Sequence, residues 1–171
     1  LRDFLVSKGY IRWKGTSDTE VVLNLFLYSI NIGMKLETVL RKINGIFAIA
    51  LWKSCSKDLF LFRDAFGVKP LYYSQIDQGI AFASEIKAIL PLIWNSNNFS
   101  KKNSSKIIDN SIDIEAINRY LTYLWCPGQS TPSNYFKKLG PGEYMHIKDG
   151  VIQCKEKWYF LPSYKSPLSK I

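Results

Sequence analysis

The hydrophobic pattern of this sequence changes period at Gly45, and that change decides what the chain can fold into. Before it, apolar residues recur at helical spacing. After it comes a continuous apolar run at 46–52, a polar turn at 53–57, and a second run at 58–64 in which Leu59 and Leu61 alternate with Phe60 and Phe62. Short runs joined by short turns are antiparallel strands. The first is apolar on both faces and is expected to be buried on both. A loop at 66–70, a strand at 71–73, a turn around Asp77-Gln78-Gly79 and a strand at 80–83 extend the meander. Further on, residues 142–148 and 151–159 flank Asp149-Gly150, a dipeptide suited to a tight hairpin.

Helices flank these strands in the sequence. Residues 1–7 place Leu1, Phe4 and Leu5 on one face, and Lys8-Gly9 is a stop. No capping residue precedes Leu1, so the chain is expected to start inside a helix. Ser17 caps the next helix, with Glu20 at capping-box spacing and Asp18 at the first helical position. That helix is apolar almost all round over 21–27 and is expected to be buried. A short helix follows at 36–41. Ser84 is the expected cap of a helix at 85–90, which Pro91 helps to end. Asp113 caps an amphipathic helix with Ile114, Ile117, Tyr120, Leu121 and Leu124 as its stripe. Ile112 can staple against Ile117, and Cys126-Pro127-Gly128 is the stop. Residues 95–111, rich in Asn, Ser and Lys, read as a flexible insertion rather than a domain boundary.

Composition narrows the function. Apolar residues make up 47% of the chain and aromatics 15%, so a packed core is expected. No apolar run reaches membrane-spanning length and no signal-peptide pattern opens the chain, so a soluble, cytoplasmic protein is expected. Cys55, Cys126 and Cys154 are widely spaced and form no CxxC pair, so neither a disulfide framework nor a zinc site is expected. The net charge is +9, from 23 basic and 14 acidic residues. The lysines are scattered, with mild clustering at Lys101, Lys102 and Lys106, and no helix carries a basic stripe. A nucleic-acid partner is therefore not expected.

Few side chains are placed for chemistry. The only histidine, His146, lies in an alternating stretch with no acid or nucleophile nearby in sequence, so it reads as a strand residue rather than a base. Arg63-Asp64 ends a strand before the Phe66-Gly67 loop and reads as a pin for that loop. Lys69 lacks the glycine-rich loop or helix start that a phosphate site needs. Cys154 has a cationic neighbour, Lys155, but no partner group. Asp18 stands apart. A carboxylate at a helix start ordinarily stabilises the dipole, by about 0.3–1 kcal/mol. Its functional alternative is a charge-assisted hydrogen bond to a ligand ammonium group.

Three stretches together carry a resemblance: SDTE at 17–20, NGIFAIALW at 44–52, and LFLFRDAFGVKPLYY…GIAFASEIKAIL over 59–90. With DIEAINRYLTYLWCPG, FKKLGPGEYMHIKDG and Lys157-Trp158-Tyr159, they resemble the class II glutamine amidotransferase domain of asparagine synthetase (glutamine-hydrolysing). The resemblance implies an α+β fold, a partial N-terminal-nucleophile hydrolase αββα sandwich of antiparallel sheets. It implies a partial amidotransferase domain over 1–160 and the start of a linker at 161–171.

In that family a cysteine at the mature N-terminus, using its own α-amino group as base, attacks the side-chain amide of glutamine and forms a thioester. The ammonia then reaches a synthetase domain, where ATP and Mg²⁺ activate aspartate. Asp18 matches the aspartate that binds the amino-acid head of glutamine. The cysteine, an arginine and an Asn-Gly-Glu oxyanion segment are expected upstream of Leu1, and the ATP site downstream of Ile171. No catalytic residue and no cofactor are therefore assigned within the chain, and it is expected to be inactive alone. Asn44-Gly45 is not the oxyanion segment, and Cys126 and Cys154 are not N-terminal. The Tyr120–Trp125 helix end is expected to face the synthetase domain. Expected partners are glutamine here and aspartate and ATP in the full-length protein, with no membrane; a homodimer is left open. A different acid acceptor, such as a surface-polysaccharide sugar, or a non-catalytic remnant, is the alternative.

Overall fold

The computed structural model describes residues 1–9, 13–76, 79–94 and 112–161. The expected insertion at 95–111, the turn residues Asp77-Gln78 and all of the expected linker but Leu161 lie outside the described residues. The chain divides into two compact units, Leu1–Gly45 and Ile46–Ile171.

The first unit holds three helices: α1 (Arg2–Ser7), α2 (Asp18–Asn31) and α3 (Leu36–Leu40). Both α1 and α3 pack on α2. Leu5, Leu25, Phe26, Val39 and Leu40 are buried, and Phe4 meets Tyr28 edge-on at 5.9 Å. The Ser17 cap forms as expected, its Oγ accepting the Glu20 N–H at 3.2 Å. Burial of α2 is narrower than its composition suggests. Leu23, Leu27 and Ile30 are about half exposed, and Asn24, Leu25, Phe26 and Ser29 form the buried stripe. An unbroken apolar run sets hydrophobicity but not direction. At 3.6 residues per turn only one side of such a helix meets α1 and α3.

The second unit is built on two antiparallel sheets. One has the order β1 (Ala48–Lys53), β2 (Asp58–Arg63), β6 (Glu143–Lys148), β7 (Val151–Lys157), and the other β4 (Gly79–Ala83), β3 (Tyr72–Ile76), β5 (Lys137–Lys138). Leu61 and Met145, directly opposite across β2 and β6, join Ile147, Leu71, Tyr73 and Leu139 in one core. That core takes side chains from both sheets, so the sheets pack face to face. On the far side of the smaller sheet, α4 (Ile86–Trp94) lays Ile89 and Ile93 against Ala81 and Phe136. The layers run sheet, sheet, helix, the ββα part of the expected α+β sandwich.

Four expectations from the sequence are corrected, each with a physical cause. The four strands from β1 to β4 do not form one meander: β2 pairs with β6 and β3 with β5, because the loop between β2 and β3 carries the chain across to the facing sheet. The first strand is shorter than expected and not buried on both faces: Ile46, 61% exposed, precedes β1, and β1 lies at the sheet edge with Trp52 58% exposed. The α4 helix continues through Pro91, because Ile93, one turn beyond Ile89, gains burial that the lost N–H does not outweigh. The amphipathic helix α5 (Ile114–Tyr123) is capped by Asp113 as expected, with Ala116 N–H at 2.8 Å, and its stripe faces outward. Leu121 is 69% exposed and Leu124 81%. The helix stops at Leu124, a left-handed non-glycine residue with φ 58°, before Cys126 is reached. The hairpin matches its chemistry, with Asp149 at φ 48° and Gly150 at φ 79°.

Candidate functional site

Two carboxylate centres come out of this fold, one in each unit. In the first unit, Asp18 occupies the first position of α2 and is exposed. Its Oδ1 accepts the Thr19 N–H at 2.8 Å. That bond orients the carboxylate and leaves Oδ2 without a partner among the described residues. Two residues on, Glu20 departs from the capping-box pattern. Its carboxylate does not reach back to Ser17. Oε1 accepts the Lys14 N–H at 2.7 Å and Oε2 the Gly15 N–H at 2.9 Å. The Lys14 amide, with that of Gly15 and the charge of Arg2, holds the Glu20 carboxyl below its usual range against the smaller opposing effect of desolvation. Beside this helix start lies a concavity of about 600 Å³ lined by Lys14, Gly15, Ser17, Thr19, Glu20 and Leu23, among others. Asp18 is not part of that lining.

In the second unit, Arg63 and Asp64 form a knot at the end of β2. Arg63 is almost fully buried, and its guanidinium donates to three main-chain carbonyls: Nε to Lys69 at 2.8 Å, Nη1 to Leu139 at 2.5 Å and Nη2 to Gly67 at 2.8 Å. Asp64, 1% exposed, accepts the N–H groups of Phe66, Val68 and Lys69 at 3.2, 3.0 and 3.0 Å. Burial raises the cost of its charge, but the amides of Lys69, Val68 and Phe66 win and hold its carboxyl below the usual range. Gly67, at φ 66°, is required here. A Cβ would stand 2.9 Å from Pro141 and 3.2 Å from the Arg63 guanidinium. These residues therefore pin the 66–70 loop, as their position suggests, and their hydrogen-bonding groups are engaged in doing so.

A second concavity, about 520 Å³, is lined by Arg63, Gly67, Tyr120, Trp125, Cys126 and Lys138, among others. Lys138 donates to the Cys126 carbonyl, sits 5.9 Å from the Trp125 ring, and has its ammonium pKa pushed down by burial. Both of its cations are thus engaged by main-chain carbonyls.

The structure also supplies what the sequence hid. His146 does have an acid beside it: Nε2 lies 2.8 Å from Asp58 Oδ1, the imidazole stacks on Phe60 at 4.4 Å, and Ser56 Oγ donates to Asp58 Oδ2. The Ser56 hydroxyl, then His146, holds the Asp58 carboxyl below its usual range. Asp58 and His146 are 88 residues apart, so only the β2–β6 pairing brings them together and no local signal could. The order Ser–Asp–His leaves Ser56 without a base at its hydroxyl, so the trio fastens a turn rather than arming a nucleophile. Among the cysteines, Cys55 is exposed in the β1–β2 turn, Cys154 is within β7, and Cys126 lies beside Lys138. Among the described residues no group of three or more His, Cys, Asp or Glu side chains could hold a metal ion, and no helix is long and apolar enough to cross a membrane.

A family model described as a glutamine amidotransferase domain matches residues 1–159. The chain belongs to that family. Among relatives of this amidotransferase domain, asparagine synthetase [glutamine-hydrolyzing] 1 of Bacillus subtilis (strain 168) is 34% identical over 166 residues, covering 96% of this chain and 23% of the relative. A putative asparagine synthetase [glutamine-hydrolyzing] of Mycobacterium tuberculosis (strain ATCC 25618 / H37Rv) is 30% identical over 132 residues, 77% of this chain and 19% of the relative. An amidase, chyE, of Penicillium rubens is 36% identical over 89 residues, 52% of this chain and 12% of the relative. The chain spans less than a quarter of the length of each of these relatives.

Proposed function

We propose that this chain handles glutamine for an ATP-dependent asparagine synthetase, in which ammonia released from the glutamine side chain is passed to activated aspartate. The geometry of Asp18 carries the proposal. Its carboxylate is exposed at a helix start, held by one N–H, with an oxygen open to a ligand ammonium group. Asp18 binds the α-amino group of glutamine, and the bond to Thr19 fixes the direction from which that group arrives. The likeness to proteins named as glutamine-hydrolysing asparagine synthetases, over nearly the whole chain in one case, supports aspartate as the acceptor. ATP and Mg²⁺ belong with the aspartate-activating part and with no residue of this chain. The nucleophile is assigned to none of Cys55, Cys126 and Cys154. The setting is cytoplasmic.

The test uses the full-length gene product. Asp18→Ala is expected to raise the KM for glutamine far more than that for free ammonia as nitrogen donor. Equal loss with both donors would reduce Asp18 to a helix-start residue. The 171-residue chain alone is expected to release no glutamate from glutamine. Release that Asp18→Ala abolishes would show that the chain is catalytically complete. The likeness to an amidase favours a second reading, a different acceptor on the same glutaminase chemistry. Asparagine formation by the full-length product, measured against other acids, separates the two.

A further inference from the structure

We infer that Glu20 is a positioning residue for Asp18, acting through the Trp13–Gly15 loop. The inference rests on Asp18 as the ligand contact. A glutamate three residues after an N-cap ordinarily turns back to the cap's own N–H. Glu20 reaches further out, and its two oxygens take two consecutive amides, Lys14 at 2.7 Å and Gly15 at 2.9 Å. The same loop is gripped from its other side. Arg2, at the start of α1, donates Nη2 to the Gly15 carbonyl at 2.9 Å and sits 4.1 Å from the centre of the Trp13 ring. Arg2 Nη2 also lies 4.0 Å from Glu20 Oε2, which closes the clamp.

Residues 13–15 are thereby held by a ring face, a carbonyl and two amides, all fastened to α1 and α2. Only Thr16 separates this clamp from Ser17, whose Oγ accepts the Glu20 N–H. Asp18 comes next. Its backbone is fixed on one side by the helix and on the other by the clamp, and Glu20 belongs to both. A group that must meet a ligand ammonium has to be held within about 0.5 Å of its productive position. A single N–H from Thr19 sets the Asp18 side chain but not the peptide that carries it. Glycine at 15 would leave that approach loose without the clamp. The carboxylate of Glu20 is fully engaged by the loop, so it supports the site without touching the ligand.

The experiment compares wild type, Glu20→Gln, Glu20→Ala and Asp18→Ala in the full-length gene product. Glu20→Gln keeps one acceptor oxygen and loses the other along with the charge facing Arg2. Two readouts are taken: amide hydrogen exchange at Lys14, Gly15 and Thr19, and the KM and kcat for glutamine. Glu20→Gln is expected to speed exchange about ten-fold at Lys14 and Gly15, to speed it also at Thr19, and to raise the glutamine KM about ten-fold with a smaller change in kcat. Glu20→Ala should exceed it in each. Wild-type protection at Thr19 in both Glu20 variants would overturn the inference, as would faster exchange with an unchanged glutamine KM. If Asp18→Ala leaves the glutamine KM unaltered, the ligand reading of Asp18 fails instead. Exchange at Thr19 then still decides whether Glu20 holds residue 18 in place.

Discussion

Asp64 and Asp18 both accept main-chain amides next to the end of a regular element, yet one is closed and the other open. Asp64 is buried and takes three N–H groups, while Arg63 beside it takes three carbonyls. Asp18 is exposed and takes one. The number of partners a carboxylate already has is a better guide to its role than its sequence neighbourhood. A closed carboxylate has its stabilising bonds within the fold, and removing it leaves donors unpaired. An open one contributes little to folding and leaves an oxygen exposed.

The closed carboxylate is the more sensitive of the two to substitution. Asp64→Asn turns one acceptor oxygen into a donor facing the loop amides. It should destabilise the chain by about 3 kcal/mol in urea unfolding, since charge-assisted bonds contribute about 1.5–3 kcal/mol each. The same substitution has a pH signature. Because the folded-state pKa of Asp64 is depressed, its contribution is fully present above the unfolded value of about 3.9 and is lost as pH falls through the folded value. Wild type should therefore lose stability on acidification below about pH 4, and Asp64→Asn should flatten that limb. A steep limb retained in the variant would move the acid sensitivity elsewhere. Asp58, also depressed, lies between the extremes: Asp58→Asn should flatten the same limb less and cost under about 1 kcal/mol, as expected for a pair near the surface. Smallest in stability is Asp18→Ala, about 0.3–1 kcal/mol from the helix dipole, measured in the same unfolding series. A cost as large as that of Asp64→Asn would erase the distinction between the two carboxylates.

Local chemistry was legible in the sequence, and partnership across the chain was not. Ser17, Asp113 and Asp149-Gly150 were readable because a cap or a two-residue turn is decided within a few residues. The antiparallel strands followed from the change of period at Gly45, but their division between two sheets did not, because β2 pairs with β6 and β3 with β5 from far along the chain. β5, only Lys137–Lys138, carries no pattern of its own and exists because β3 offers an edge to pair with. The exposure of β1 depends on its place at the edge of a sheet whose order, β1-β2-β6-β7, skips the intervening strands. The pairing of His146 with Asp58 rests on that same crossover. Around Asp18, the cap was visible in SDTE. The hold of Glu20 on Lys14 and Gly15 was not, because capping-box spacing predicts a different acceptor for the same side chain.

The guanidinium of Arg63 also sets an order of events during synthesis. One of its three acceptors, the Leu139 carbonyl, lies 76 residues further along the chain. A ribosome adding about 5–20 residues per second needs roughly 4–15 s to cover that distance. Throughout that interval β2 can be made while the charge at its end has only the local carbonyls of Gly67 and Lys69 within reach. The nascent β1–β2 pair must wait, wet and unlocked, until the segment that will close over it has left the exit tunnel.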